Sequence, residues 1–169
     1  GTRLVAGDFG GQIYTSDNSG VTWTARDSNR NWSGVASSAD GTKLVACVGG
    51  GGQIGRIYIS TDSGVTWTAR DSNRDWYSVA SSADGTKLVA CVGSGGRIYI
   101  STDSGVTWTA QDSNRNWRDV ASSADGTKLV ASVDGGQIYT SHEYINTTTT
   151  GPTGYIRGLQ YGSVKLQYI

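Results

Sequence analysis

The sequence predicts an all-β fold, a β-propeller of four-stranded blades with about four blades in this chain, closed by the C-terminal strands or completed by a neighbouring chain. Three observations predict it. The octet Ser60-Thr61-Asp62-Ser63-Gly64-Val65-Thr66-Trp67 returns unchanged at Ser101 to Trp108 and nearly so at Ser16 to Trp23. Its tryptophans are spaced 44 residues (Trp23 to Trp67) and 41 residues (Trp67 to Trp108), a period that signals a repeat architecture. Within each period the apolar residues form short runs between Gly and Asp clusters, with none of the longer 3.6-residue spacing that a helix needs.

Each copy reads as four strands. In the copy with the fewest insertions, Asp75 to Ser82 is the first, ended by the turn Ala83-Asp84-Gly85-Thr86. Leu88 to Val92 is the second, Arg97 to Ser101 the third, and Val106 to Ala110 the fourth, after which Gln111 to Arg115 reads as a linker. Four strands of about five residues in a period of about 41 describe one blade. The preceding copy carries extra residues at Gly49 to Gly55, expected to lengthen one turn only.

Counted along the chain, the copies supply three strands from Arg3 onward, two complete sets of four, and three more ending near Ser141. Two further runs, Gly154 to Tyr161 and Ser163 to Ile169, bring the total to four sets of four, with the last run able to complete the opening set. The expected organisation is therefore 1–141 as repeats, 142–153 as a Thr-rich connector and 154–169 as a two-strand tail. The tail shares no sequence with the repeats, so the alternative is that it adds a strand to a neighbouring molecule. Gly1 falls inside a repeat, as expected of a processed or longer parent chain.

The octet has its own turn chemistry. Ser and Asp side chains are expected to close the turn by accepting from backbone N–H groups one or two residues on, and Gly20, Gly64 and Gly105 supply a backbone angle that other residues resist. Trp23, Trp67 and Trp108 are then free to pack over the corner. Read as S-x-D-x-G-x-T-W, the octet resembles the Asp-box, or BNR, motif of β-propellers such as sialidases, carbohydrate-binding propellers and photosystem assembly factors. Asp62 and Asp103 fill the Asp position, and Asn18 stands there in the first copy.

The resemblance to sialidases covers the boxes alone. Such enzymes use an arginine cluster, a Tyr nucleophile assisted by a Glu, and an Asp acid/base; here the one Glu is Glu143, beside the one His, His142. The acids sort into repeated slots: Asp17, Asp62 and Asp103 in boxes, Asp40, Asp84 and Asp125 in Ala-Asp-Gly turns, Asp27, Asp71 and Asp112 in linkers. Asp8, Asp75, Asp119 and Asp134 stand outside them. Glycoside hydrolysis needs two carboxyls held apart in different environments, and turn acids generated by duplication are poor donors of such a pair, so no catalytic residue is expected.

The remaining composition narrows the partners. Fourteen basic and fourteen acidic residues cancel, which gives no electrostatic case for nucleic acid, and no apolar run approaches the ~20 residues of a membrane helix. No metal and no cofactor are expected, since there is no Cys pair at zinc spacing and the Gly-rich turns precede strands rather than a helix. Cys47 and Cys91 occupy equivalent places in successive copies, where Gly7 and Ser132 stand in the others. They are expected to be small strand residues, a repeat step being too long for a disulfide.

The linker Asp-Ser-Asn-Arg followed by x-Trp is the candidate ligand contact: Arg30 with Trp32, Arg74 with Trp76, Arg115 with Trp117. Arg beside an aromatic ring can stack on a sugar or pair a carboxylate, and the competing reading is inter-blade packing with the Arg paired to the Asp three residues earlier. Asn31-Trp32-Ser33 and Asn146-Thr147-Thr148 are N-glycosylation sequons. The run Thr147, Thr148, Thr149 and Thr150, ahead of Pro152, has the composition of an O-glycosylated linker.

These features together predict a non-enzymatic extracellular or cell-surface module, structural or recognition in role, glycosylated, and self-assembling into oligomers or fibrils. A carbohydrate-binding lectin using the Arg/Trp face, with glycan partners, is the alternative, and an assembly-factor-like propeller with free thiols is a further one. Nucleic-acid binding and membrane insertion are not expected.

Overall fold

The computed structural model describes residues 1–141 and contains strands only. The connector 142–153 and tail 154–169 lie outside the described residues, and with them Asn146, Thr147 to Thr150 and Glu143.

Fourteen strands make four antiparallel sheets in chain order. The first holds β1 (Leu4–Gly7), β2 (Ile13–Ser16) and β3 (Thr24–Arg26); the second holds β4 (Trp32–Ser37), β5 (Leu44–Gly50), β6 (Gln53–Ser60) and β7 (Thr68–Arg74). The third holds β8 (Trp76–Ser81), β9 (Leu88–Val92), β10 (Gly96–Ser101) and β11 (Thr109–Arg115); the fourth holds β12 (Trp117–Ser122), β13 (Leu129–Val133) and β14 (Ile138–Thr140). Each sheet is a simple meander, and the inner strands β4, β8 and β12 pack against one another in succession. The described residues form an arc of sheets and do not close a ring.

The core lies between sheets, and strand alternation builds it. On β5, Val45 and Cys47 face forward onto Trp76, Val79 and Leu88 of the third sheet, while Ala46 and Val48 face back with Trp32 onto Ile13 of the first. The third sheet repeats this, with Val89 and Cys91 against Trp117, Val120 and Ala131. A strand buried on both faces needs a continuous apolar run, which is why Leu-Val-Ala-Cys-Val does not alternate with polar residues.

Three expectations need correction. The fourth strand does not begin at Val106: Val106, Thr107 and Trp108 belong to the turn, and the strand runs from Thr109 through the supposed linker to Arg115. Asp71 and Asp112 make this possible by adopting positive φ (53° and 56°), whereas in the first sheet β3 ends at Arg26, just ahead of Asp27 (45°). The bulge that follows absorbs the extra residues, so that Arg74 still pairs with Gly55 and Arg115 with Gly96. In the same way, the insertion in the second sheet lengthens β5 and β6 as well as their turn. Gly49 pairs with Ile54 and Gly50 with Gln53 around Gly51-Gly52, both at positive φ as a tight hairpin turn requires.

The box side chains also reach further than expected. Ser60 Oγ accepts from the Gly64 N–H at 2.8 Å, and Asp62 Oδ1 accepts from the Thr66 N–H at 2.9 Å, each four residues on. Trp67 Nε1 closes the corner on the Gly64 carbonyl at 3.0 Å. Asn18 replaces the carboxylate without loss of geometry, accepting from the Thr22 N–H and donating Nδ2 to Thr22 Oγ1, both at 2.9 Å.

Candidate functional site

The Arg/Trp pairs form an internal stack. Trp32, Trp76 and Trp117 head the inner strands and are buried, meeting Tyr58, Tyr99 and Tyr139 edge to face at 5.2, 5.1 and 5.2 Å between ring centroids. Trp67 and Trp108 of the boxes lean on Trp32 and Trp76 from the other side. The guanidinium of Arg74 covers Tyr99 at 4.4 Å and is tied to Asp71 at 3.6 Å; Arg30 and Arg115 repeat this on Tyr58 and Tyr139 with Asp27 and Asp112. This arrangement has no ring face left for a ligand to stack on. The tryptophans bury their area between sheets, and the arginines lie over the tyrosines with their carboxylate partners beside them.

The repeated acids are occupied in the same sense. Hydrogen bonds hold the Asp62 carboxyl down at about 2, led by the Thr66 hydroxyl and N–H, and Asp103 is held at about 2 by hydrogen bonds led by the matching Thr107 groups. Ser38 and Thr42 hold Asp40 at about 2, and the equivalent Ser and Thr pairs lower Asp84 and Asp125 still further. Carboxyls kept this acidic are permanent acceptors at neutral pH and do not exchange protons there. Among the described residues no group of three or more His, Cys, Asp or Glu side chains gathers as a metal site. No helix there is long and apolar enough to cross a membrane.

Cys47 and Cys91 are free thiols, both buried, and burial raises both, Cys47 to about 12. Asn31, the acceptor of the first sequon, is half-buried and bridges Phe9 through its backbone, while its carbonyl takes the Gly49 N–H at 3.0 Å.

A different set of residues converges at the head of the inner strands. The copies are identical over most of Thr24–Val48, Thr68–Val92 and Thr109–Val133. They differ at Arg26/Arg70/Gln111, Asn31/Asp75/Asn116, Ser33/Tyr77/Arg118, Gly34/Ser78/Asp119 and Cys47/Cys91/Ser132. Three of these columns flank the buried tryptophan, on one end of β4, β8 and β12. Two of them, Ser33/Tyr77/Arg118 and Gly34/Ser78/Asp119, contribute Ser33, Tyr77, Ser78, Arg118 and Asp119 to a cleft of about 640 Å³ that Phe9, Trp32 and the Gly50-Gly51 turn also line.

The floor of this cleft is fixed from beneath. The buried Asp75 carboxylate accepts from the Gly50 N–H at 2.7 Å, the Gly52 N–H at 3.1 Å and the Ser94 hydroxyl at 2.8 Å. It thereby joins the turn of the second sheet to that of the third. Tyr77 Oη accepts from the Gly51 N–H at 2.9 Å, and the Arg118 guanidinium lies over the Tyr77 ring at 4.9 Å. Asp119 Oδ1 takes the Ser78 hydroxyl at 2.6 Å and the Val120 N–H at 2.9 Å. Phe9 also lines the cleft, beside Gly50, with 61% of its surface exposed. Repeat motifs directed attention away from these residues; a column-by-column comparison of the copies finds them.

No family model matches the sequence, and no curated protein matches it either. Solved structures do match. The chain superposes on YCF48 bound to a D1 peptide with a TM-score of 0.61 at 18% identity, over 83% of this chain and 47% of that one. It superposes on the GH74 xyloglucanase from Xanthomonas campestris with a TM-score of 0.64 at 15% identity, over 85% and 27%. The chain has a β-propeller fold.

A third structure, the nidogen/laminin complex, gives a TM-score of 0.65 at 16% identity, over 84% of this chain and 58% of that one. The propeller described here thus spans about half of YCF48 and about a quarter of the xyloglucanase. These propellers include an enzyme and proteins solved with peptide or protein partners, so at this identity the likeness establishes architecture, and function has to be argued from the residues.

Proposed function

We propose that this chain is a non-enzymatic recognition module whose contact surface is the head of the inner strands. The carrying observation is where the near-identical copies differ. The box corners, the Arg–Tyr–Trp stacks and the Ala-Asp-Gly turns are kept from copy to copy, while Ser33-Gly34, Tyr77-Ser78 and Arg118-Asp119 diverge on one open face. One structural position thus carries a serine, a tyrosine and an arginine in successive copies, so the face they build is not a product of the repeat. The engagement of the box and turn acids in closing their own turns supports a binding role over hydrolysis.

The test is reversion of the heads. Replacing Tyr77-Ser78 and Arg118-Asp119 by Ser-Gly, the pair already present after Trp32, gives a chain with uniform heads. On a combined glycan and peptide array the unaltered chain is expected to retain ligands that the reverted chain loses while still unfolding in a cooperative thermal transition. Equal array profiles would overturn the reading.

An extracellular or cell-surface setting, glycan attachment at Asn146 and self-association belong to the same proposal. The Thr-rich run and the sequon support the first two. Buried thiols that ionise only at high pH are compatible with an oxidising compartment, because oxidation proceeds through an accessible thiolate. Mass spectrometry of secreted material and sedimentation over a concentration series test these points; an unmodified monomer at every concentration would remove them.

A further inference from the structure

We infer that the cleft between Phe9 and Arg118 binds an acidic saccharide, a pyranoside that carries a carboxylate. This inference rests on the recognition reading and deepens it by naming the ligand class. It also moves carbohydrate binding away from the Arg30/Arg74/Arg115 stacks to residues that occur once each.

Four properties of the cleft select this chemistry. Arg118 forms no ion pair among the described residues, in contrast to Arg30, Arg74 and Arg115. Its stacking on Tyr77 holds the guanidinium plane while leaving N–H donors for a carboxylate, the partner that a planar fork fits best. Asp119 stands next to it and is exposed. Oδ1 is engaged by Ser78 and Val120, and no protein group donates to Oδ2 among the described residues, which leaves that oxygen for a ligand hydroxyl.

Phe9 contributes an exposed apolar face beside Gly50, the feature on which the C–H face of a sugar ring rests. A Cβ at Gly51 would meet nothing within 4 Å, so the floor is open to a bulky ring. A cation, an anionic acceptor and an apolar platform on one small surface match a ring that offers a carboxylate, hydroxyls and a C–H face together. An acidic peptide would satisfy Arg118 but bring neither a hydroxyl for Asp119 nor a C–H ring face for Phe9.

The experiment is calorimetric titration of the whole chain with tetragalacturonate, with a neutral tetragalactoside and with tetraglutamate. Two variants accompany it, Arg118→Ser and Asp119→Gly, which install the residues found at Ser33 and Gly34 and so are compatible with the strand. Tetragalacturonate is expected to bind, the neutral analogue at least about tenfold more weakly, and Arg118→Ser to lose at least about tenfold at unchanged thermal stability. Asp119→Gly is expected to weaken the saccharide and to leave tetraglutamate no weaker. Absence of tetragalacturonate binding at millimolar concentration, equal affinity for the neutral analogue, or indifference to Arg118→Ser would each overturn the inference. Tetraglutamate binding through Arg118 in place of the saccharide would overturn the ligand class and leave the recognition face standing; loss of no ligand on reverting the heads would remove that face itself.

Discussion

Arg74 lies over the ring of Tyr99 at 4.4 Å while its NH2 nitrogen reaches Asp71 Oδ1 at 3.6 Å, so one side chain ties the bulge of β7 to the third sheet. Arg74→Ala removes a cation–π contact and the apolar cover of the arginine stem together, and is expected to cost about 1–2 kcal/mol. Arg74→Lys recovers less than half of that, because an ammonium lacks the planar face. Urea denaturation of both variants checks the ordering; equal stability of Ala and Lys variants would refute the stacking role.

The box and turn acids make stability dependent on acid pH in one direction. Asp62, Asp103 and Asp40 have folded pKa values lowered from 3.8 to about 2. Their contribution is complete above the unfolded value near 4 and is lost as pH falls from there through 2. Thermal unfolding is therefore expected to be level from neutral pH to about 5 and to drop steeply below 4. Asp62→Asn, which copies the Asn18 corner, is expected to fold at neutral pH and to soften that drop. An unchanged acid profile in a variant that neutralises Asp62, Asp103 and Asp40 together would contradict this origin.

Asp75 holds two glycine N–H groups and a serine hydroxyl. Asp75→Asn retains one acceptor oxygen and introduces donors facing donors, so it is expected to cost about 1–3 kcal/mol and to speed hydrogen exchange at Gly50 and Gly52. Exchange unchanged at those amides would show that the turn stands without its clasp.

Cys47 and Cys91 are expected to resist thiol reagents in the folded chain and to react at the rate of unfolding, since burial keeps both protonated. Fast labelling of either under native conditions would contradict their burial.

Most of the fold could be read from the residues because the repeat supplies register: Trp23, Trp67 and Trp108 mark the same corner each time, and glycine and aspartate punctuate the strands between. The errors arose where a local signal competed with tertiary pairing. Asp112-Ser113-Asn114 has turn composition, yet a positive φ at Asp112 and pairing with β10 keep it in the sheet. Ser19, Ser63 and Ser104 adopt positive φ next to the box glycines, which composition does not announce.

The site was harder to read for a related reason. The repeated Arg and Trp drew attention as a motif, and only burial of the ring distinguishes a packing tryptophan from a ligand platform. Tyr77, Arg118 and Asp119 carry no motif; they are visible in sequence only as departures from one, and Phe9 lies outside any repeated slot.

The most direct test is a ¹H–¹⁵N correlation spectrum of the whole chain during titration with tetragalacturonate. The amides of Gly51, Tyr77, Arg118 and Asp119 are expected to shift with one common affinity, while the indole signals of Trp76 and Trp117 and the box amides of Gly64 and Gly105 stay in place. Shifts gathered at the box corners or at the Arg30, Arg74 and Arg115 stacks, with the inner-strand heads unmoved, would contradict the account.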